Sequence, residues 1–150
     1  NLSHFADLVA QHIGQDFQDI AGAGAAGGLG FGLMAFAGAK IRSGVEIVIE
    51  ETGLSEKSDQ ADYVFTGEGG IDFQTKFGKT PFGVAQVAKL FNKPVIAFAG
   101  YVGKGIEELY DEGFTAIFGI VDGACDLQTA LKNGEKNLER CCVNVVKVLK

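Results

Sequence analysis

The stretch from Asp62 to Val84 reads DYVFTGEGGIDFQTKFGKTPFGV and determines how the rest of the chain is interpreted. Asp62 to Phe65 predicts a short buried strand, because it is mainly apolar and rich in strand-forming residues. Thr66 to Lys79 predicts a polar loop, and Pro81 to Phe91 predicts a helix with proline in its first turn. Ligands of open α/β sheets bind beyond the carboxyl ends of the strands. We therefore expect a binding site in this loop.

The residue types of the loop suit phosphate chemistry. Glycines let backbone amides approach a phosphate closely, and lysines supply positive charge. Carboxylates hold magnesium or accept a proton. The candidates are Gly67, Gly69, Gly78, Lys76 and Lys79 for phosphate, and Glu68 and Asp72 for metal or proton. For Asp72, the N-cap of a short turn is an alternative interpretation.

The loop does not satisfy the Walker A pattern. Gly78, Lys79 and Thr80 match the end of G-x-x-x-x-G-K-[ST], but Phe73 stands where the first glycine is required. On local features alone, a solvated turn before an ordinary helix remains the alternative.

Downstream, apolar segments alternate with helical patterns. Strands are predicted for Val95–Ala99 and Ala116–Val121, and helices for Gly105–Glu112 and Leu127–Leu149. Such alternation predicts an α/β fold whose parallel, Rossmann-like sheet is covered on both faces, giving three layers. The three strands are followed by glycine together with acidic or lysine side chains. One edge of the sheet is thus expected to form a ligand crevice.

Upstream, a helix is predicted from Leu2 to Ile13, and a glycine-rich run from Gly22 to Gly30 leads into a helix that ends near Gly38. The run would place backbone amides at a helix N-terminus, which favours an anion site, although small residues also allow close helix packing. It formally matches the dinucleotide fingerprint G-x-G-x-x-G, but no predicted strand precedes it. A dinucleotide oxidoreductase is therefore a weaker hypothesis.

Two segments link these halves. Gly44 to Thr52 fits either a strand or a helix, and Leu54 to Ala61 reads as a polar connector with a short helical turn. We predict that residues 1–57 are part of a second, glycine-rich α/β domain. Residues 58–150 are predicted to be the C-terminal portion of a Rossmann-like domain.

Composition narrows the classes of partner. The 150 residues carry a formal net charge of −6 without a basic run, so nucleic acid is not an expected partner. Three cysteines, two of them adjacent, do not suggest a disulfide framework and favour the cytoplasm. The uncharged stretch from Ile20 to Ala39 is too rich in glycine and alanine to predict a membrane helix. The absence of an initial methionine leads us to expect a piece of a longer protein.

Two motifs carry a resemblance to a known family. The first is GAAGGLG from Gly24 to Gly30. The second is TGEG from Thr66 to Gly69, followed by Ile71-Asp72, Gln74-Thr75, Gly78-Lys79, Pro81 and Gly83-Val84-Ala85. Together they resemble the bacterial glycerate kinase family of glyoxylate and glucarate metabolism. The resemblance runs through essentially the whole chain.

The resemblance implies ATP-dependent phosphorylation of D-glycerate, giving 2-phosphoglycerate, with magnesium as the metal. It also implies a two-domain enzyme of which this chain is the C-terminal portion, inactive without the N-terminal part of the same protein. A homodimer is left open. The predicted catalytic residues are Asp72 and Lys79, and the predicted metal ligands are Glu68 and Asp72. The predicted substrate-binding and nucleotide-binding residues are Gly24, Gly27, Gly28, Thr66, Gly67, Glu68, Gly69, Gln74, Thr75, Lys76 and Gly78.

One position departs from the family pattern. The family usually has arginine where this chain has Gly70, and arginine would grip a carboxylate or phosphate with two hydrogen bonds. The departure keeps a second hypothesis open, in which the chain is a noncatalytic Rossmann-like module that binds a nucleotide or an organic acid.

Overall fold

The computed structural model describes residues 2–149. Its strands are β1 (Val64–Ile71), β2 (Val95–Val102) and β3 (Ala116–Gly119), and a 3-10 helix spans Phe73–Lys76. Its α-helices are α1 (Leu2–Ile13), α2 (Ala25–Ala37), α3 (Gly44–Thr52), α4 (Leu54–Gln60), α5 (Thr80–Leu90), α6 (Glu107–Asp111), α7 (Leu127–Lys132) and α8 (Gly134–Val148).

The chain divides into two compact units, one ending at Ser43 and the other beginning at Gly44. The division lies before the predicted domain boundary between residues 57 and 58, because α3 and α4 pack on α5 and so belong with the sheet. These are units of this chain. The assignment of residues 1–57 to a second domain of a larger protein stays a prediction.

The first unit is built from α1 and α2, which bury Ala6, Val9, Phe31 and Met34 between them. As predicted, α2 ends near Gly38, which follows Ala37 as a left-handed C-cap with a φ of 63°. Its first turn is not helical, since the residues from 26 to 28 all have positive φ. The described part of this unit, residues 2–43, contains no strand. The dinucleotide fingerprint therefore lacks the strand that it requires.

The second unit contains the predicted parallel sheet, in the order β1-β2-β3. One face packs on α5 and α6 through a core that includes Ala85 and Leu109. The other face packs on α8 through Phe98 and Val145. Helices on both faces confirm the three-layer α/β fold. No helix in the described residues is long and apolar enough to cross a membrane.

β1 is longer than the sequence suggested. The prediction that a loop begins at Thr66 is wrong, because the strand continues to Ile71 and stays paired with β2. Glycine weakens a strand in isolation, but here it permits close approach of the two backbones. A Cβ atom on Gly67 would lie 2.7 Å from the carbonyl oxygen of Phe98.

Other boundaries also differ from the prediction. The ambiguous segment Gly44–Thr52 is a helix, and Leu54–Gln60 is a full helix rather than a single turn. The predicted helix Leu127–Leu149 is divided into α7 and α8, with Asn133 at the junction. β2 continues to Val102, whereas β3 already ends at Gly119.

Candidate functional site at the carboxyl edge of the sheet

The candidate site is formed where β1 and β2 end. The chain segments after the two strands are joined by backbone hydrogen bonds. The amide of Phe73 donates to the carbonyl oxygen of Lys104 at 3.1 Å, and the amide of Gly103 donates to that of Ile71 at 2.8 Å. Side chains that follow β1 are therefore held beside the backbone that follows β2.

Asp72 begins the 3-10 helix as its N-cap. Its Oδ1 accepts a hydrogen bond from the amide of Gln74 at 2.9 Å, and its own amide donates to Oγ1 of Thr75 at 3.2 Å. The bond to Thr75 Oγ1, together with a reciprocal bond from the Thr75 backbone to the Asp72 side chain, forms a capping box. The N-cap interpretation of Asp72 is confirmed, and the cap also fixes the direction of its carboxylate.

Two other predicted binding residues belong to the same short helix. The side chain of Thr75 is fully buried and takes part in the capping box, so its observed contacts are structural. Gln74 is exposed. The ammonium of Lys76 forms an ion pair with Glu108 of α6 and lies 5.5 Å from the ring centroid of Phe77.

Lys79 reaches back to the end of β1. Its Nζ donates to the carbonyl oxygen of Gly70 at 3.2 Å and lies 3.7 Å from Oε2 of Glu68. Gly78, with a φ of 96°, supplies the turn that places Lys79 at the N-cap position of α5. Pro81 stands in the first turn of α5, as predicted. The structure thus brings together Glu68, Lys79 and the backbone of Gly70.

The outer edge of β1 adds hydrogen-bonding capacity. β1 is an edge strand in the described sheet, with β2 on one side. An edge strand presents a row of backbone N–H and C=O groups that the sheet does not use. The prediction that amides near Gly67 and Gly69 bind phosphate is compatible with this arrangement.

The distance between Glu68 and Asp72 bears on the prediction that both residues bind magnesium. Glu68 and Asp72 lie four positions apart in extended chain, so their Cα atoms are about 13 Å apart. The described residues hold no group of three or more His, Cys, Asp or Glu side chains that could bind a metal. The described residues by themselves therefore do not form a complete magnesium cage. One carboxylate with nucleotide phosphates and water is the usual magnesium arrangement, and either residue fits that role.

A cavity of about 630 Å³ lies between the sheet and α8. Predicted binding residues Thr66, Gly67 and Glu68 line part of it, and the remaining wall is mostly apolar, with Phe65 and Leu138 among its residues. Sequence reasoning missed this cavity. The cavity is lined by residues of β1, β2 and α8, which are distant in sequence and are brought together only by the fold.

Stacked aromatic rings run across the sheet, and two of them, Phe65 and Phe98, line the cavity. The ring of Phe65 stacks on Phe98 with centroids 6.2 Å apart, and Phe98 stacks on Phe118 at 6.1 Å. The signal in the sequence was one phenylalanine in each predicted strand. Cys142 of α8 lies at the same cavity, and burial, followed by the neighbouring Cys141, raises the pKa of the Cys142 thiol.

The glycine run lies in the first unit. Gly24, Gly27 and Gly28 come together around a cavity of about 270 Å³, which Leu2 and Phe31 also line. The other predicted site residues belong to the second unit. That the two sets serve one ligand stays a prediction.

The fold and this edge define a class of protein. A parallel sheet with helices on both faces, and with glycine, acid and lysine at its carboxyl edge, is typical of α/β proteins that bind small molecules or nucleotides.

Sequence comparison then gives the family. The profile of the Glycerate kinase family matches residues 1–150, and the chain belongs to this family. It is 46% identical to the glycerate kinase of Halalkalibacterium halodurans over 98% of this chain, and 40% identical to the glycerate 2-kinase of Escherichia coli over 99% of it. Its structure is similar to the crystal structure of a Salmonella typhimurium LT2 protein assigned as glycerate kinase 2. The TM-score is 0.77 and the identity 44%, with coverage of 98% of this chain and 37% of that one.

This chain matches only part of the length of its relatives. The chain spans 39% of the length of each of these two curated relatives. The activity of a whole enzyme therefore depends on more residues than those described.

Proposed function

We propose that this chain is the C-terminal portion of a glycerate kinase that transfers the γ-phosphoryl group of ATP to D-glycerate, giving 2-phosphoglycerate and ADP. The observation that carries the proposal is the meeting of Glu68, Lys79 and the Gly70 carbonyl at the carboxyl edge of the sheet, in a chain of this family. The remaining part of the same polypeptide completes the site.

In this proposal Lys79 binds a phosphate of the nucleotide. Its ammonium is held at the end of β1 by a neutral carbonyl and a carboxylate at 3.7 Å. A phosphate oxygen that takes the place of the Gly70 carbonyl is itself negatively charged, so both partners of the hydrogen bond to Lys79 would then be ionised. Lys79 thus stabilises the negative charge that moves during transfer.

Asp72 accepts the proton of the attacking hydroxyl of glycerate. The oxygen of that hydroxyl forms a bond to the γ-phosphorus, the bond from this phosphorus to the bridging oxygen breaks, and ADP leaves. The amide of Gln74 fixes the direction of the Asp72 carboxylate, so positioning supplies much of the rate. Glu68 or Asp72 would hold a magnesium ion, which would offset the charge of the nucleotide phosphates.

We also infer that the protein works in the cytoplasm. ATP is available there, and the described cysteines Cys125, Cys141 and Cys142 are free thiols, as a reducing compartment requires.

The test is an assay of the full-length protein for magnesium-dependent ADP formation with D-glycerate. Asp72→Asn keeps a good N-cap residue while it removes the charge, and Lys79→Ala removes the ammonium. We expect each variant to lower kcat/KM by about 10²-fold or more. Lys136→Ala, which removes an exposed lysine of α8, is the matched control.

Two results would change the proposal. Full activity in both variants would show that the site is elsewhere. A parent protein that binds glycerate or ATP tightly but forms no product would favour the noncatalytic binding module.

A further inference from the structure

Tyr101 is an exposed aromatic residue at the carboxyl end of β2. It pairs with Gly70 of β1 in the sheet register, and 65% of its surface is accessible. Its ring lies beside two glycines. A Cβ atom on Gly70 would lie 3.9 Å from its Cδ1, and a Cβ atom on Gly103 would lie 3.2 Å from its Cε1. Backbone at two positions therefore supports one edge of the ring.

Gly103 also borders Asp72. The same Cβ atom on Gly103 would lie 2.7 Å from the Cβ of Asp72, a distance that real side chains do not adopt. Gly103 is therefore the spacer between the ring of Tyr101 and the side chain of Asp72. The proposed proton acceptor and a phenol are neighbours across a single glycine.

Lys79 also contacts the backbone of Gly70. Its ammonium donates to the carbonyl oxygen of Gly70, and Gly70 and Tyr101 face each other on strands about 4.8 Å apart. The backbone of Gly70 and Gly103 thus lies next to the ring of Tyr101, the side chain of Asp72 and the ammonium of Lys79. Sequence reasoning did not assign a role to Tyr101.

The phenol of Tyr101 indicates which substrate this residue contacts. A phenol donates a hydrogen bond without adding charge, and its ring limits the space beside it. A nucleobase would lie a ribose and further phosphates away from the reacting centre, whereas the acceptor must touch Asp72. We propose that Tyr101 is a specificity-determining residue that contacts the hydroxy-acid acceptor, with its hydroxyl donating to an acceptor oxygen. This inference rests on the proposed kinase function.

The test measures KM for D-glycerate and for ATP separately in the full-length protein, together with calorimetric titration of D-glycerate. Tyr101→Phe keeps the ring and removes the hydroxyl. We expect it to raise the KM and the Kd for glycerate about tenfold, the equivalent of one hydrogen bond of about 1.4 kcal/mol, and to leave the KM for ATP within about twofold. Tyr101→Ala, which also removes the ring, is expected to raise the KM for glycerate further.

Tyr63→Phe is the matched control, since Tyr63 precedes the opposite end of β1 and is also exposed. It should change neither KM. A Tyr101→Phe variant with the parental KM for glycerate, or with equal increases in both KM values, would overturn the inference while the kinase function stands.

A parent that binds but does not phosphorylate glycerate would refute the function. The ratio of the Kd values for glycerate of the parent and of Tyr101→Phe would still decide the role of Tyr101. A parent that does not bind glycerate would refute both.

Discussion

The ammonium nitrogen of Lys79 lies 3.2 Å from the carbonyl oxygen of Gly70, nine residues earlier in the chain. This contact joins the first residues of α5 to the last residues of β1, so the position of the charge depends on the length of the strand. Because β1 continues through its glycines to Ile71, Lys79 meets an extended backbone. The ammonium proposed to bind phosphate is therefore held in place by a strand of the sheet.

The first prediction separates the chemical role of Lys79 from its structural role. Its ion pair with Glu68 is about one-third exposed on both sides, and exposed pairs contribute about 0–1 kcal/mol. We expect Lys79→Ala to lower the free energy of unfolding by at most about 1 kcal/mol, as measured by urea denaturation. A loss of activity that is matched by extensive unfolding would contradict a direct role.

The second prediction concerns the glycines of β1. Gly67→Ala would place a Cβ atom 2.7 Å from the carbonyl oxygen of Phe98. Separation of the strands by that crowding should cost about 1–3 kcal/mol in urea denaturation. Gly69→Ala is the control for folding, because a Cβ atom there has no heavy atom within 4 Å, and it should change stability by less than about 0.5 kcal/mol. Equal destabilisation by the two substitutions would show that close approach is not the reason for glycine at position 67.

The third prediction concerns the ion pair of Lys76 with Glu108. The two side chains are 31% and 64% exposed, so a double-mutant cycle with Lys76→Ala and Glu108→Ala should give a coupling energy of at most about 1 kcal/mol, and less at high salt. A coupling above about 2 kcal/mol that is insensitive to salt would mean that the pair is buried in the whole protein.

The fourth prediction follows from the raised pKa of Cys142. Burial favours the neutral thiol, and Cys141 adds to the effect. In a Cys125→Ser, Cys141→Ser variant, the remaining burial should keep Cys142 slow to react with a thiol reagent near pH 8, and its rate should keep rising above the pH at which an ordinary thiol levels off.

The raised pKa of Cys142 also predicts how the stability of the fold changes with pH. The unfolded chain loses this proton first as pH rises, so the stability that Cys142 contributes is fully present below the unfolded pKa. It is lost as pH rises through the folded pKa. A Cys142→Ser variant whose stability falls as steeply as that of the parent above pH 9 would contradict this account.

The sequence was sufficient for the order of the three strands and of α5 and α6 between them, because continuous apolar runs and turn residues are local signals. It was also sufficient for Pro81 at the start of α5 and Gly38 at the end of α2, where one residue determines the backbone. It failed from Thr66 to Ile71, since glycine argues against a strand locally and only the pairing with β2 overrides it.

In the candidate site, too, some features have a local sequence signal and others depend on the fold. The capping role of Asp72 was predicted as an alternative to metal binding or proton transfer, and the structure shows the cap. The partners of Lys76 and Lys79 were not, because Glu108 and the Gly70 carbonyl are brought near them by the fold. Tyr101 gave no local signal, as its significance comes from Gly70 on the neighbouring strand and from Gly103.

The most direct test of the account is phosphorus NMR of the full-length protein incubated with ATP, magnesium and D-glycerate. We predict that ADP and the phosphomonoester resonance of 2-phosphoglycerate appear together in equal amounts, and that Asp72→Asn slows both by about 10²-fold or more. ADP with free inorganic phosphate, or no change in the spectrum while glycerate is bound, would contradict the proposal that this edge of the sheet phosphorylates glycerate.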